Sequence, residues 1–570
     1  MSKKPSKNFV IAAGGTGMRC LQSFLNMCAM GMYESESVDI LLLETDIENG
    51  DKKNSENLVS WYNTLCTEKA GAFDYFGPQI NFYTFIPDYS QDNKRRFTLI
   101  SRVEEGNSET NRMLTNLFYE EAVQEFDLMH GFRAQTHVGT YLMYHAIIEE
   151  IREAVAKDVV RGKSQMYKFV NAIKEQNTVG EARVFLLGST FGGTGASSIP
   201  VMARAISDSA KILTGGSIKM ENIYFGAVIL TPYFTFGSPS KEQKKSAGVI
   251  ADSQFFAHNS AATLMYYIKD TTVSKTYKRF YFLGWPFASI DMDEYKKMIT
   301  NAGETTGKTI TGGKSQENPA HPNELIAAFS AKHFFEQTPK DWFKDIYTTD
   351  IRFKAIEYES GGEGKDKEAF LHFEDMISGE AKSSKKDAGK DNQDSIKKKS
   401  LAEIFGKNMT GLYYFSLLIQ EIYLGDITAF LSNLKRYNYS YNFTDEELDA
   451  LSRYTQYFAY KPDGENIKPG WLPQMFYSLK APKGEQFFNY NGQAFDVLKV
   501  REGAVMPKHL LFEEFMKAEG NKKQGDVFIS AWTKYNKPLK NGKKNEFFHD
   551  LRNVFSNLNV AKWVDIVKVK

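Results

Sequence analysis

The chain predicts an α/β fold, a mainly parallel sheet covered by helices and followed by a separate module. Three observations carry that prediction. Short, mostly apolar strands alternate with stretches of helical periodicity, and two of the strand-to-helix junctions are glycine-rich bends. The 570 residues, 42% hydrophobic and 25% charged, suffice to bury a large core and exclude bulk disorder.

The elements follow in order. Phe9 to Ala13 is apolar throughout, as a strand is when helices lie on both faces of its sheet. Gly14-Gly15-Thr16-Gly17 turns the chain, and Met18 to Met30 reads as a helix packed on that sheet. Val38 to Leu43 is a second strand, ending at Glu44-Thr45-Asp46, on the edge where open α/β sheets bind ligands. Asp51 to Ser101 is irregular and aromatic-rich, with turn signals at Gly77-Pro78 and Pro87-Asp88, and no element is predicted there. Helical periodicity returns over Ser108 to Met129. A glycine-bracketed loop, Gly131 to Gly139, then carries the cation Arg133 and leads into a helix from Thr140 to Ala156.

Arg183 to Leu187 is the next buried strand, Gly188 to Gly195 the second glycine bend, and Ala196 to Ser207 a helix with Pro200 expected near its first turn. Strands at Tyr224 to Leu230 and Arg279 to Leu283 flank a helix from Gln254 to Ile268, and the apolar helix Leu325 to Phe335 ends this part. Gly361 to Gly364 and Ser378 to Ser400 have the glycine, serine and lysine content of a tether. The expected division is therefore a sheet domain over residues 1–345, a variable segment and linker over 346–400, and a C-terminal α or α+β module over 401–570.

Composition narrows the function classes. Seventy-one basic against seventy acidic residues leave a net charge of +1, which provides no general attraction to nucleic acid. Cys20, Cys28 and Cys66 have no metal-ligand spacing, and Met1 to Lys7 leads into a strand rather than into the apolar stretch of a leader. A reducing, cytoplasmic setting is expected. No apolar run approaches the ~20 residues of a membrane span, so no integral membrane segment is expected either.

The glycine bends are the most informative feature. Glycine lets the backbone approach a ligand closely, and a helix that starts there offers unpaired N–H groups and a positive dipole end. Such a place suits phosphate, and Thr16 and Thr194 add a hydroxyl to each bend. Neither bend has the Gly-Lys-Ser/Thr ending of a P-loop. A dinucleotide-binding Rossmann oxidoreductase, with Glu44 or Asp46 as ribose partner, stays open as a minor alternative. Against it, Gly15-x-Gly17-x-x-Cys20 lacks the third glycine, and the second bend is left without a role.

Ser189-Thr190-Phe191-Gly192-Gly193-Thr194-Gly195-Ala196-Ser197 resembles the signature loop, Gly-Gly-Gly-Thr-Gly-Ser/Thr-Gly, of the tubulin and FtsZ GTPase superfamily, with Phe191 and Ser197 in place of the outer glycines. Within that superfamily the chain is most similar to the divergent bacterial tubulin-like proteins. Gly14 to Gly17 resembles the first nucleotide loop, and Leu43-Glu44-Thr45-Asp46 the Asn-Thr-Asp after the second strand. Gly131 to Gly139 stands in the place of the γ-phosphate loop, Thr231-Pro232-Tyr233-Phe234 resembles the Lys/Glu-Pro-Phe/Tyr segment after the strand near the ribose, and His258-Asn259-Ser260 resembles Glu-Asn-Thr, whose asparagine bonds guanine. The order agrees along residues 8–335.

This resemblance implies a Rossmann-like nucleotide-binding domain of tubulin/FtsZ type that binds GTP or GDP with Mg²⁺, with no metal ligand assigned. The implied nucleotide contacts are Gly14, Gly15, Thr16, Gly17, Met18, Asp46, Arg133, Gly192, Gly193, Thr194, Gly195 and Asn259. Met18 stands where the family often carries an asparagine that reads guanine. In the family a second subunit completes the site with Asn-x-Asp-x-x-Asp/Glu. Asn318-Pro319-Ala320-His321-Pro322-Asn323-Glu324 is the corresponding stretch, which makes Asn318, His321 and Glu324 the implied catalytic residues and head-to-tail filaments the implied assembly. Glu324 also has a plainer reading, as an acid favoured by the helix dipole. The alternative from another class is a non-hydrolysing, nucleotide-dependent scaffold that recruits protein partners through its C-terminal module.

Overall fold

The computed structural model describes residues 5–33, 35–46, 49–66, 76–85, 109–124, 132, 135–216, 221–233, 253–284, 320–337, 412, 415–416, 444–463, 466–472, 489–490 and 493–494. Gly303 to Lys314, the 346–400 linker, Asn318 and Arg133 lie outside them.

The first half of the chain alternates strand and helix, including at residues 50–65 and 79–85, where no element was expected. It runs β1 (Ser6–Ala13), α1 (Gly14–Ala29), β2 (Ser37–Leu43), α2 (Gly50–Leu65), β3 (Gln79–Phe85), α3 (Glu109–Phe118) and α4 (Glu121–Gln124). Then come α5 (Thr136–Ala156), α6 (Asp158–Lys163), α7 (Gln165–Val179), β4 (Glu181–Ser189), α8 (Gly193–Leu213), β5 (Ile223–Leu230), α9 (Phe256–Lys269), α10 (Thr271–Thr276), β6 (Tyr277–Leu283) and α11 (Pro322–Glu336). Later in the chain lies α12 (Asp445–Phe458), followed by two small antiparallel pairs.

The six strands form one all-parallel sheet in the order β3-β2-β1-β4-β5-β6. The chain winds outward from β1 in one direction and from β4 in the other, so the order reverses between these two neighbours. In open α/β sheets ligands bind outside the carboxyl ends at that reversal.

Strand residues alternate strictly between two cores. Val10, Ala12, Ile40, Leu42, Phe185, Leu187 and Val228 face one helical layer, made by α1, α2, α11 and α12. Phe9, Ile11, Leu41, Leu43, Val184, Leu186 and Ile229 face the other, made chiefly by α5, α7 and α8. Both faces are covered, which accounts for the apolar runs seen in the sequence.

Two expectations need correction. Pro200 is not near the first turn, because α8 begins at Gly193 and buries Pro200 in its interior. Proline cannot donate to the carbonyl of Ala196, and the Tyr267 hydroxyl donates to that oxygen instead at 2.5 Å. Nor are residues 401–570 wholly a separate module. Leu451, Tyr454 and Phe458 of α12, with Trp471 and Leu472 beyond it, are buried in the same core as α1 and α2. Tyr454 packs edge-on against Phe76 at 4.9 Å and donates its hydroxyl to Asn26 Oδ1 at 2.9 Å.

Helix α1 is the axis of this layer. It is buried around its whole circumference, and its polar residues Arg19, Gln22 and Asn26 form a stripe with partners on α11, α2 and α12.

Candidate functional site

The two glycine bends lie side by side, because β1 and β4 are neighbours and each bend follows its strand directly. Gly14 has a φ of +72°, and a side chain there would place Cβ 3.0 Å from the Gly195 nitrogen and 3.3 Å from Thr194 Cβ. Gly195 is equally confined, its notional Cβ lying 2.9 Å from the Ser189 nitrogen and 3.2 Å from the Ala13 oxygen. The bends are thus in mutual backbone contact, and only glycine permits the approach.

Helices α1 and α8 start from these bends with no side-chain cap on the N-cap residue and no acid in the first turn. By contrast α2 is capped by Asn49, α7 by Ser164 and α12 by Thr444. Gly15, Gly192 and Gly193 are partly exposed while Gly14, Thr16, Gly17, Thr194 and Gly195 are buried, so the backbone at these three glycines faces outward. Helix α5 brings a third N-terminus to the same edge: Ser197 Oγ donates to the Thr136 carbonyl at 3.0 Å, and Gly139 packs against Ser197 and Phe132. The turn expected to run to Gly139 therefore ends at Gln135, and its last residues are helical.

The acid that enters this junction is Glu44, which stands in the strand-end Glu44-Thr45-Asp46 and was expected as a ligand contact only in the dinucleotide alternative. Its Oε1 accepts from the amides of Thr45 (2.8 Å) and Asp46 (3.1 Å) and from Thr194 Oγ1 (3.0 Å), and its Oε2 accepts from Asn49 Nδ2 (3.0 Å). Asn49 turns its other amide atom, Oδ1, to the first amides of α2. One carboxylate thus ties β2, α2 and α8 together. Burial raises the Glu44 carboxyl to about 7, with the nearby Asp46 adding to the rise and the hydrogen bonds opposing it. Asp46 itself is half-buried at the rim.

Other implied contacts fall differently. Met18 is fully buried in the core, so its side chain is not a nucleotide contact. Asn259 is half-buried on α9 beside the signature loop, since its neighbour Ser260 bonds Thr190 Oγ1 at 2.9 Å. Phe191, where the resemblance implies a glycine, fills the space between Tyr233 and Phe256, with ring centroids 6.1 Å and 4.9 Å away.

Glu324 and His321 require the largest correction. Both are 2% exposed within their own chain, at the edge that holds the glycine bends, so neither projects toward a second subunit. Glu324 Oε1 accepts from Arg19 Nε (2.6 Å), Arg19 Nη2 (2.5 Å) and the Tyr233 hydroxyl (2.7 Å). Its Oε2 accepts the His321 amide at 3.1 Å while His321 Nδ1 accepts the Asn323 amide at 3.2 Å, a reciprocal cap on α11. Burial, then the Arg19 charge, pushes the His321 imidazole well below its usual range, so it stays neutral. Burial also works against the Arg19 guanidinium, but Glu324, Tyr233 and Asp51 outweigh it and keep it charged.

Among the described residues there is no group of three or more acidic, histidine or cysteine side chains placed to hold a metal, and no helix long and apolar enough to cross a membrane. No family model, curated protein or solved structure matches this chain.

Proposed function

We propose that this chain is a purine-nucleotide-binding protein of tubulin/FtsZ type, holding the phosphates of GTP or GDP across its paired glycine bends. The observation that carries the reading is the contact of those bends at the sheet's reversal point, with two helix N-termini that no side chain caps. The backbone of Gly15, Gly192 and Gly193 supplies donors to phosphate, and Asn259 on α9 faces the base. Mg²⁺, where it accompanies the nucleotide, fits as an ion carried on phosphate oxygens and water, because the described acids form no ready-made cage. Its chemistry there is to neutralise charge on the phosphates.

Head-to-tail association into filaments belongs to the same resemblance, but Glu324 and His321 are not the residues that complete a neighbour's site. Their burial favours a second reading, a nucleotide-dependent scaffold that does not turn its nucleotide over.

The test begins with chromatography of small molecules released from denatured purified protein, followed by calorimetric titration with GTP, GDP and ATP. A copurifying or bindable purine nucleotide is expected. Its absence in both measurements defeats the proposal, and nicotinamide or flavin absorbance instead would establish the oxidoreductase alternative. Phosphate release measured over a range of protein concentrations separates a hydrolysing filament from the scaffold.

A further inference from the structure

The phosphate cradle holds an anion of its own. The Glu44 carboxylate is 3% exposed and takes four donors, among them the hydroxyl of Thr194 in the signature loop. It makes no ion pair among the described residues. Asp46 on the same turn adds to the rise of the Glu44 carboxyl, and the carboxylate of Asp51 at the start of α2 would lie 3.5 Å from a side chain at Gly15. Arg19 on α1 bonds Glu324 and also attracts Asp51, and the first turn of α8 contributes no acid. An entering phosphate therefore meets buried negative charge at the point where it needs donors, and at low dielectric that repulsion is strong.

We propose that Glu44 is a built-in competitor of phosphate, which keeps the Thr194 hydroxyl and the turn amides for itself until a polyphosphate takes them over. The proposal rests on the reading of these bends as a phosphate cradle. Glu44 makes the site selective for polyphosphate whose own charge a divalent cation has partly neutralised, or for polyphosphate that enters while Glu44 carries a proton and is itself uncharged. The raised Glu44 carboxyl places that second route within the neutral pH range.

The probes are Mg²⁺-free GDP and inorganic pyrophosphate, titrated calorimetrically into the full chain and its Glu44→Gln variant between pH 6 and 8. In the unmodified protein affinity falls as pH rises, although the ligand itself gains negative charge over that range. In E44Q affinity at pH 8 rises at least about tenfold and no longer falls with pH, and the benefit of added Mg²⁺ shrinks. Equal or weaker binding by a folded E44Q, or affinity in the unmodified protein that holds or rises with pH, overturns the proposal. Should E44Q not fold, the pH profile of the unmodified protein decides alone. If GDP and pyrophosphate bind to neither protein at any pH, the cradle reading fails first and Glu44's role with it.

Discussion

Replacing Glu324 by alanine tests whether this acid belongs to the reaction or to the fold. The carboxylate accepts two bonds from Arg19, one from Tyr233 and one from the His321 amide, and Arg19 and Glu324 are only 8% and 2% exposed. Removing it leaves a buried guanidinium without its main counter-charge and takes away the Glu324 half of the reciprocal cap on α11. Loss of one partner of such a pair costs about 3–5 kcal/mol. Replacing both partners with apolar groups of similar volume, as in R19M/E324L, leaves neither charge stranded, and stability is expected to return to within about 1–2 kcal/mol of the original. Urea unfolding of the parent, R19M, E324L and R19M/E324L, followed by circular dichroism, closes a double-mutant cycle, and single losses of about 3–5 kcal/mol against about 1–2 kcal/mol for the double variant give an expected coupling of at least about 4 kcal/mol. A folded E324A within about 1 kcal/mol of the parent, yet deficient in phosphate release, would falsify the structural assignment and restore Glu324 as a catalytic acid.

Further outcomes follow from the same geometry. Gly17→Ala places Cβ 2.5 Å from the Leu187 carbonyl and 3.1 Å from the Ala12 carbonyl carbon, so the variant is expected to be insoluble or unfolded in expression trials. Gly15→Ala is tight only against the Asn49 side-chain amide at 3.2 Å, with Asp51 Oδ2 at an ordinary 3.5 Å, and should fold with weakened GDP binding by calorimetry. Tyr267→Phe leaves the Ala196 carbonyl opposite Pro200 without its donor, a loss of about 1–3 kcal/mol in urea unfolding. Glu44 is raised from 4.5 to about 7 by burial, so the folded chain holds its proton where the unfolded chain has lost it, and this contribution to stability is lost as pH rises through that window. At about 1.4 kcal/mol per pH unit the swing is about 3 kcal/mol, and a melting-temperature series from pH 5 to 8 should show it flattened in E44Q.

Much of the sheet was legible in sequence because parallel strands covered on both faces must be apolar, as Phe9 to Ala13 and Tyr224 to Leu230 nearly are. Strand β3 was not, because it lies at the sheet edge and mixes polar residues among its aromatics. Its Asn81 and Tyr83 instead bond the buried Asp39 of β2. The bends were readable from their glycines, but Glu44 was passed over for Asp46, since neighbouring acids at a strand end look alike until the strand's pleat decides which one turns inward. The place of Glu324 was hidden for a different reason. Its partner Arg19 is 305 positions away in the chain, and no local pattern records such a pair. Helix α12 was likewise separable by composition only, because the hydroxyl partners of Tyr454 and Tyr457 sit on α1.

The seat of α12 has a consequence for how the protein is made. Its apolar side closes over α1 and α2, yet α1 ends at Ala29 and α12 begins at Asp445, so a growing chain must add more than four hundred residues before the cover exists. At ~5–20 residues per second of translation that interval lasts roughly 20 to 80 s. Throughout it, the nascent sheet presents an unfinished apolar flank to the ribosome surface and the crowded solution around it. Chaperone capture and premature self-adhesion are the hazards of that interval, and a chain stopped short of Thr444 would keep them for life.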